Sequence, residues 1–117
     1  MIGRICYGLA ILCIIALACL PALAHVAESG WEYDLDCCSG LDCALVEDAS
    51  VTPTAEGWLI EIQPGQHPSV TTEPWSKVVP YTSDRIRPSG DHHFHVCVGA
   101  KTKVMFCLYV PEGQWGA

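Results

Sequence analysis

The stretch HHFHVCVGAKTKVMFCLYV, from His92 to Val110, decides the fold. Two runs in it alternate apolar residues with other side chains, and a short Gly-Ala-Lys-Thr-Lys link separates them. The apolar members of both runs fall on even numbers: Phe94, Val96, Val98, Val104, Phe106, Leu108 and Val110. Because the side chains of a strand point alternately to its two faces, this period of two predicts a C-terminal β-hairpin of about residues 92–98 with 104–110.

The register of this hairpin follows from the requirement that both apolar sets share one face. The simplest such register pairs Val98 with Val104 and Phe94 with Leu108. It leaves Cys97 and Cys107 as diagonal neighbours, about 7–8 Å apart. A disulfide needs its Cα atoms at about 4.4–6.8 Å, so a bridge between these two would be strained. We therefore expect each of them to bond elsewhere.

Upstream of the hairpin, short strands are favoured over helices. GWLIEIQPG places Trp58, Ile60 and Ile62 on one face between turn residues. WSKVVPYT, residues 75–82, is a second candidate, whose Pro80 suggests an edge strand or the strand's end. A short helical turn is expected around Cys38 to Val46. The fold class predicted is mostly β: a small single-domain, disulfide-stapled sheet with a C-terminal hairpin and a loop-rich N-terminal segment.

The first 24 residues have the pattern of a secretory signal peptide. Arg4 precedes the apolar run from Ile5 to Leu20, and Ala22-Leu23-Ala24 offers a small-x-small cleavage site. Cleavage after Ala24 would leave one β-rich domain, residues 25–117, in the periplasm or outside the cell. An uncleaved membrane anchor is one alternative. A lipid-anchored envelope protein is another, because ALAC ends at Cys19.

The charge of the chain argues against nucleic-acid partners. Its 13 acidic and 6 basic residues give a net charge of −7, and loss of Arg4 with the signal peptide makes it −8. Such a chain repels phosphate backbones and anionic lipid surfaces. After signal cleavage no membrane span is expected.

Five cysteines follow the signal peptide, three of them within LDCCSGLDC: Cys37, Cys38, Cys43, Cys97 and Cys107. We expect two long-range bridges that join the early group to Cys97 and Cys107, because oxidising compartments let disulfides persist. The pairing is not readable from the sequence. One cysteine is left over, Cys37 or Cys38 by preference, as a buried thiol, a reactive group or the link of a covalent dimer.

A metal site is the alternative use of the same region. His93, His95, Cys97 and Cys107 share a face of the predicted hairpin, and two imidazoles with two thiolates suit zinc or copper. Without a metal, His92, His93 and His95 would form a half-exposed polar strand face, and His67 would be a loop residue. No catalytic motif, P-loop or C-x-x-C pair occurs, so no enzyme activity and no cofactor are predicted.

Three blocks of the chain, WEYDLDCCSGLDC, VPYTSDRIRPSGDHHFHVC and CLYVPEG, resemble a family of short exported bacterial proteins. The resemblance implies export and a cysteine scaffold, and it carries no activity. It implies that the family's positions are occupied by Cys37, Cys38, Cys43, His95, Cys97, Cys107 and Pro111. The chain departs from the pattern at RPSGDHHFH, where the family has Ser-Pro-Asp-Gly, so His92 and His93 are not shared.

The function expected from these observations is that of an exported, disulfide-stabilised, non-catalytic binding or structural module whose ligand is unknown. A zinc- or copper-binding protein and an enzyme outside the searched motifs are the alternatives. The candidate anchors of the core or of a partner are the aromatic residues Trp31, Trp58, Trp75, Tyr81, Tyr109 and Trp115.

Overall fold

A computed structural model describes residues 26–38 and 41–114 of the chain. The predicted signal peptide, Cys19 and Trp115 lie outside these residues. Seven strands occur within the described residues, in chain order: β1 (Cys43–Val46), β2 (Val51–Pro53), β3 (Trp58–Ile62), β4 (Trp75–Val79), β5 (Ile86–Pro88), β6 (Phe94–Val98) and β7 (Met105–Val110). A 3₁₀ turn, Asp48–Ser50, links β1 to β2. The predicted mostly-β, disulfide-stapled fold is confirmed.

The strands form two sheets. One has the order β1-β6-β7-β5, in which β5 runs parallel to β7 and the other neighbours are antiparallel. The second is the antiparallel sheet β2-β3-β4. The predicted strands at Trp58 and Trp75 are both present, and β4 ends just before Pro80 at the edge of its sheet. The helical turn expected around Cys38 to Val46 is wrong, because Cys43–Val46 pairs with β6 as a strand.

The predicted hairpin is present, but its register is shifted. Val96 lies opposite Leu108, and Cys97 lies directly opposite Cys107 instead of diagonally. Between Cys97 and Val98 the register slips by one residue, which makes Phe106 an extra residue on β7. Such a β-bulge inverts the faces of the residues on one side of it.

The bulge explains where the alternation of the sequence fails. Met105 joins the apolar core although it has an odd number, and Phe106 packs on the opposite side. Val104, which is predicted to lie on the apolar face of the hairpin, is 54% exposed. Beyond the bulge the predicted parity holds, since Leu108 and Val110 are fully buried in the apolar core.

The four-stranded sheet is covered on both faces. Residues from both sheets make one cluster, which we call the apolar cluster: Val46, Val51, Trp58, Ile60, Ile62, Val70, Val79, Ile86, Phe94, Val96, Val98, Met105, Leu108 and Val110. The opposite face carries the disulfide cluster: Ala27, Tyr33, Cys37, Cys38, Cys97, Cys107 and Tyr109. Residues 26–38, the N-terminal segment, supply the cover on this second face.

The predicted aromatic anchors divide between core and surface. Trp58 and Tyr109 are buried, while Trp31 and Trp75 are partly buried. Tyr81 is 40% exposed, and its hydroxyl donates to the Thr54 carbonyl at 2.6 Å. Among the described residues, no helix has the length and apolarity that a membrane crossing needs.

Candidate functional site

Two disulfides tie early cysteines to the hairpin. Cys37 bonds to Cys107 across 70 positions, and Cys43 bonds to Cys97 across 54. Cys97 and Cys107 face each other on β6 and β7, yet each bonds outward, Cys97 to its partner on β1 and Cys107 to the N-terminal segment. Cys38 keeps its thiol and is 1% exposed within the disulfide cluster.

The alternative metal site is wrong as a ligand set. The sulfurs of Cys97 and Cys107 are held in bridges, so neither is a thiolate. His93 is exposed, whereas His95 is 1% exposed and not the half-exposed strand residue expected. Within residues 26–38 and 41–114, no group of three or more His, Cys, Asp or Glu side chains is arranged to hold a metal.

Asp91 is the centre of a hydrogen-bond network that fastens the N-terminal segment. One carboxylate oxygen accepts from the Ser29 hydroxyl at 2.6 Å and from the Trp31 indole N–H at 3.1 Å. The other accepts from the Ser89 hydroxyl at 2.9 Å and from the His93 amide at 2.9 Å. Burial alone would raise the pKa of Asp91, but these donors and His95 outweigh it and hold that pKa well below its ordinary value.

His95 joins Asp91 to Tyr33. Its Nε2 lies 2.9 Å from one Asp91 oxygen, and its Nδ1 lies 2.8 Å from the Tyr33 hydroxyl. A carboxylate can only accept, so Nε2 carries the proton and Nδ1 accepts from Tyr33. Burial lowers the pKa of His95, although the bond to Asp91 works in the opposite direction. The imidazole therefore stays neutral near pH 7.

The order Asp91–His95–Tyr33 resembles the carboxylate–imidazole–hydroxyl chain of nucleophilic enzymes. Its chemistry is different. Burial, and after it the nearby Cys38, raises the pKa of the Tyr33 phenol, which disfavours the phenolate nucleophile. Both ring nitrogens of His95 are taken by internal partners. The arrangement holds Tyr33 in place through the buried imidazole.

Trp31 closes this network. Its ring centroid lies 5.0 Å from that of His95 and 4.8 Å from that of Tyr33, both in edge-to-face geometry. A Cβ atom at Gly90 would lie 2.4 Å from the indole, so only glycine leaves room for Trp31 here. The indole is thereby held directly over the Asp91 turn.

A second polar contact fixes the far end of the N-terminal segment. The Tyr109 hydroxyl accepts from the Asp34 amide and donates to the Asp34 carboxylate, both at 2.9 Å. Arg87 lies 2.7 Å from the Asp36 carboxylate, and this hydrogen bond lowers the pKa of Asp36. The segment is therefore held covalently by Cys37 and by hydrogen bonds on both sides of Tyr33.

His67 anchors a different element, the loop of residues 65–71. The Ser69 amide donates to its Nδ1 at 3.0 Å, so Nε2 carries the proton and donates to the Val96 carbonyl at 2.8 Å. The residue is 2% exposed, unlike the loop histidine expected from the sequence. Burial lowers its pKa, with the Val96 bond acting in the opposite direction. The Lys103 ammonium also donates to the Ser69 carbonyl.

Between these two fastened elements lies an open cleft of about 660 Å³. One wall is the N-terminal segment, including Val26, Glu28 and Tyr33, and the other is the loop 65–71. The floor is β1, through Cys43, Ala44 and Leu45. The cleft is larger than the cavity of about 240 Å³ beside Trp75, and we take it as the candidate binding site.

Comparisons of the chain with protein-family models, with curated proteins and with solved structures find no match. The resemblance of the cysteine blocks to short exported bacterial proteins stays a prediction.

Sequence reasoning did not identify Asp91, Tyr33 or the cleft. Asp91 precedes the predicted strand by one residue. The only sequence signal of its role is its place in the turn sequence Ser89-Gly90-Asp91, where Asp side chains commonly accept hydrogen bonds. The cleft is assembled from three segments that are distant in sequence, which no local pattern reveals.

Proposed function

We propose that this protein is an exported, disulfide-stabilised binding module that acts without catalysis, and that its ligand enters the cleft over β1. One observation carries the proposal: the cleft is open, yet each of its walls is fastened separately to the four-stranded sheet. The N-terminal wall is held by Cys37–Cys107 and Asp91, and the loop wall by His67. A preformed concave site lowers the entropy that a ligand must lose on binding.

Export is supported by two independent features. The first 24 residues have the order of a signal peptide, and two disulfides join distant parts of the described chain. Disulfides of this kind are rare in reducing compartments. The periplasm or the extracellular space suits both features.

A binding role is favoured over catalysis by the state of the titratable side chains at the cleft. Those that line it are Glu28, Tyr33 and His67. His67 uses both ring nitrogens internally, and burial raises the pKa of Tyr33. Glu28 alone lacks the second group that general acid–base work needs. The rest of the lining is mostly apolar, as at Val26, Ala44 and Leu45, with the uncharged polar residues Gln66 and Thr71 at the loop.

Fragment screening by NMR tests the site. We expect weak apolar fragments to shift the amide resonances of Val26, Leu45 and Thr71, because these residues line the cleft. Leu45→Glu should abolish those shifts. Val78→Glu is the matched control, since Val78 is 44% exposed on the other sheet against 38% for Leu45. Fragments that bind elsewhere, or that bind Leu45→Glu unchanged, would overturn the assignment of the cleft.

Production of the full chain in a Gram-negative bacterium tests export. We expect a periplasmic product that begins at His25 and has an intact mass four hydrogens below that of the reduced chain. A lipid-modified product retained in the membrane through Cys19, or an uncleaved cytoplasmic product with all eight cysteines alkylatable, would overturn the proposal.

A further inference from the structure

The free edge of β1 forms the floor of the cleft. β1 is the terminal strand of the sheet order β1-β6-β7-β5, so its second side is not paired with any strand of the described chain. Edge strands leave backbone N–H and C=O groups that can pair with another chain. The cleft lies along this side, because three consecutive residues of β1 line it.

The outward backbone groups can be assigned from the ladder. The Val98 amide donates to the Asp42 carbonyl at 2.8 Å, so Asp42 and Val98 form a hydrogen-bonded pair. Such pairs alternate along an antiparallel ladder, which directs the backbone groups of Ala44 and Val46 towards β6. Those of Cys43 and Leu45 therefore point away from β6, towards the cleft.

The walls of the cleft suit the side chains of an added strand. Leu45 is 38% exposed and Val26 is 40% exposed, so apolar surface is available on the side of the N-terminal segment. Pro68 and Val70 line the opposite wall. Because successive residues of a strand point to opposite faces, an inserted segment would contact the two walls alternately.

The charges around the strand select the kind of partner. Asp42 precedes β1, Glu47 follows it, and Glu28 lines the wall. No Lys or Arg is among the described residues that line the cleft, and the lowered pKa of His67 keeps that ring neutral. A basic segment is favoured by this field, whereas a second copy, with a net charge of −8 after signal cleavage, is repelled.

We propose, building on the binding role above, that β1 is a strand-addition site. Its partner is an extended segment of another polypeptide, with alternating apolar residues at its centre and Lys or Arg at its ends. The main chain of this segment pairs with Cys43 and Leu45, and its side chains contact both walls. Recognition of this kind takes affinity from backbone hydrogen bonds and specificity from alternate side chains.

Peptide display tests the strand-addition site. A library of random peptides of about twelve residues is panned against the oxidised protein. We expect the recovered peptides to alternate apolar residues and to carry basic ends. Leu45→Pro removes the outward N–H without touching the bonds to β6, so it should weaken binding at least about fivefold. Leu45→Thr keeps that N–H but also loses apolar side-chain contact, so binding should be weaker in Leu45→Pro than in Leu45→Thr, and the difference reports the backbone bond.

The peptide itself provides a test that does not depend on the folding of Leu45→Pro. The best recovered sequence is synthesised with N-methyl groups on alternate amides, in both alternations. One alternation should abolish binding to the unaltered protein and the other should leave it intact, because only one set of amides faces β1. Equal loss in both alternations, or equal binding to Leu45→Pro and the unaltered protein, would overturn strand addition.

Other outcomes distinguish strand addition from other occupants of the cleft. Sedimentation that shows a dimer lost in Leu45→Pro would assign the edge to a second copy and overturn the proposal. A cleft that binds peptides only after residues 1–24 are removed would assign it to the chain's own leader. If fragments still shift Val26 and Thr71 while no peptide is recovered, strand addition fails and the binding role survives; if both fail, neither stands.

Discussion

The two faces of the four-stranded sheet are covered in different ways. The apolar cluster lies between this sheet and a second sheet, which brings its own ladder of backbone hydrogen bonds. The disulfide cluster lies under the N-terminal segment, whose regular structure is limited to an isolated bridge between Val26 and Glu32. The first cover is held by burial of apolar surface. The second is held by a disulfide, edge-to-face aromatic contacts and charge-assisted hydrogen bonds.

The difference has a physical cause. Ordering each residue of an irregular segment costs about 1–2 kcal/mol of conformational entropy, and no ladder offsets it. Cys37–Cys107 reduces that cost by restricting the unfolded chain, and Asp91 and Tyr109 add part-buried hydrogen bonds. A small domain can thus build a second core without a third sheet.

The largest effect should come from removing the covalent tie of the disulfide cluster. The double variant Cys37→Ala and Cys107→Ala should lose about 4 kcal/mol of unfolding free energy, given the 70-residue separation. Urea unfolding measures this loss, and hydrogen exchange should show opening first at the amides of Ala27 and Cys38. If exchange instead accelerates first in β3, the two covers are not independent.

The next largest loss of unfolding free energy should come from creating a cavity in the apolar cluster. Ile60 is fully buried on β3, so Ile60→Ala should cost about 2–5 kcal/mol. Leu59, its half-buried neighbour on the other face of the strand, is the matched control and should cost less as Leu59→Ala. Exchange at Ala27 should remain slow until global unfolding. Early opening of Ala27 in Ile60→Ala would contradict the separation of the two clusters.

A smaller loss of unfolding free energy is expected when Asp91, the central acceptor of the polar network, is changed. Asp91→Asn keeps the size of the side chain but removes its charge and one acceptor, so a loss of about 2 kcal/mol is expected. Asp84→Asn is the control, because the Asp84 side chain is 99% exposed. Thermal unfolding monitored by tryptophan fluorescence measures both. Equal stability of the two variants would show that the network adds nothing to the cover.

The smallest expected effect is a dependence on pH. The lowered pKa values of His67 and His95 mean that the unfolded chain binds their protons more readily, so stability falls as the pH drops below about 6.5. The lowered pKa of Asp91 adds a further loss below about pH 3.9. Urea midpoints from pH 8 to 3 measure both steps. His95→Gln should reduce the first step, and a midpoint that rises on acidification would contradict the assigned directions.

Sequence patterns predicted the strands whose alternation is undisturbed. Trp58, Ile60 and Ile62 alternate without a break, and all are buried on one face of β3. The hairpin register failed because the loop takes six residues, 99–104, and because Phe106 is an extra residue on β7; neither feature has a signature in the sequence. β1, β2 and β5 have three or four residues each, too few for a period to be recognised.

The site was predicted less completely than the fold. The cysteines that form bridges could be read from composition and spacing. His95, which the sequence suggests as a metal ligand or a half-exposed strand residue, is instead buried between Asp91 and Tyr33. The pairing of Cys37 with Cys107 could not, because it depends on where the N-terminal segment lies in three dimensions. The role of Asp91 depends on donors as distant as Ser29, 62 positions away.

The bridge between Cys37 and Cys107 also sets how the molecule bears mechanical tension. A pull on residues before Cys37 and after Cys107 passes directly through the sulfur–sulfur bond, because that bond joins the two points covalently. The backbone of β1 to β6 lies inside the closed loop, so tension between these two points does not extend it. When the oxidised chain is stretched, it can lengthen only outside the bridge, and the force acts on the end of β7 and on its pairing with β5 and β6.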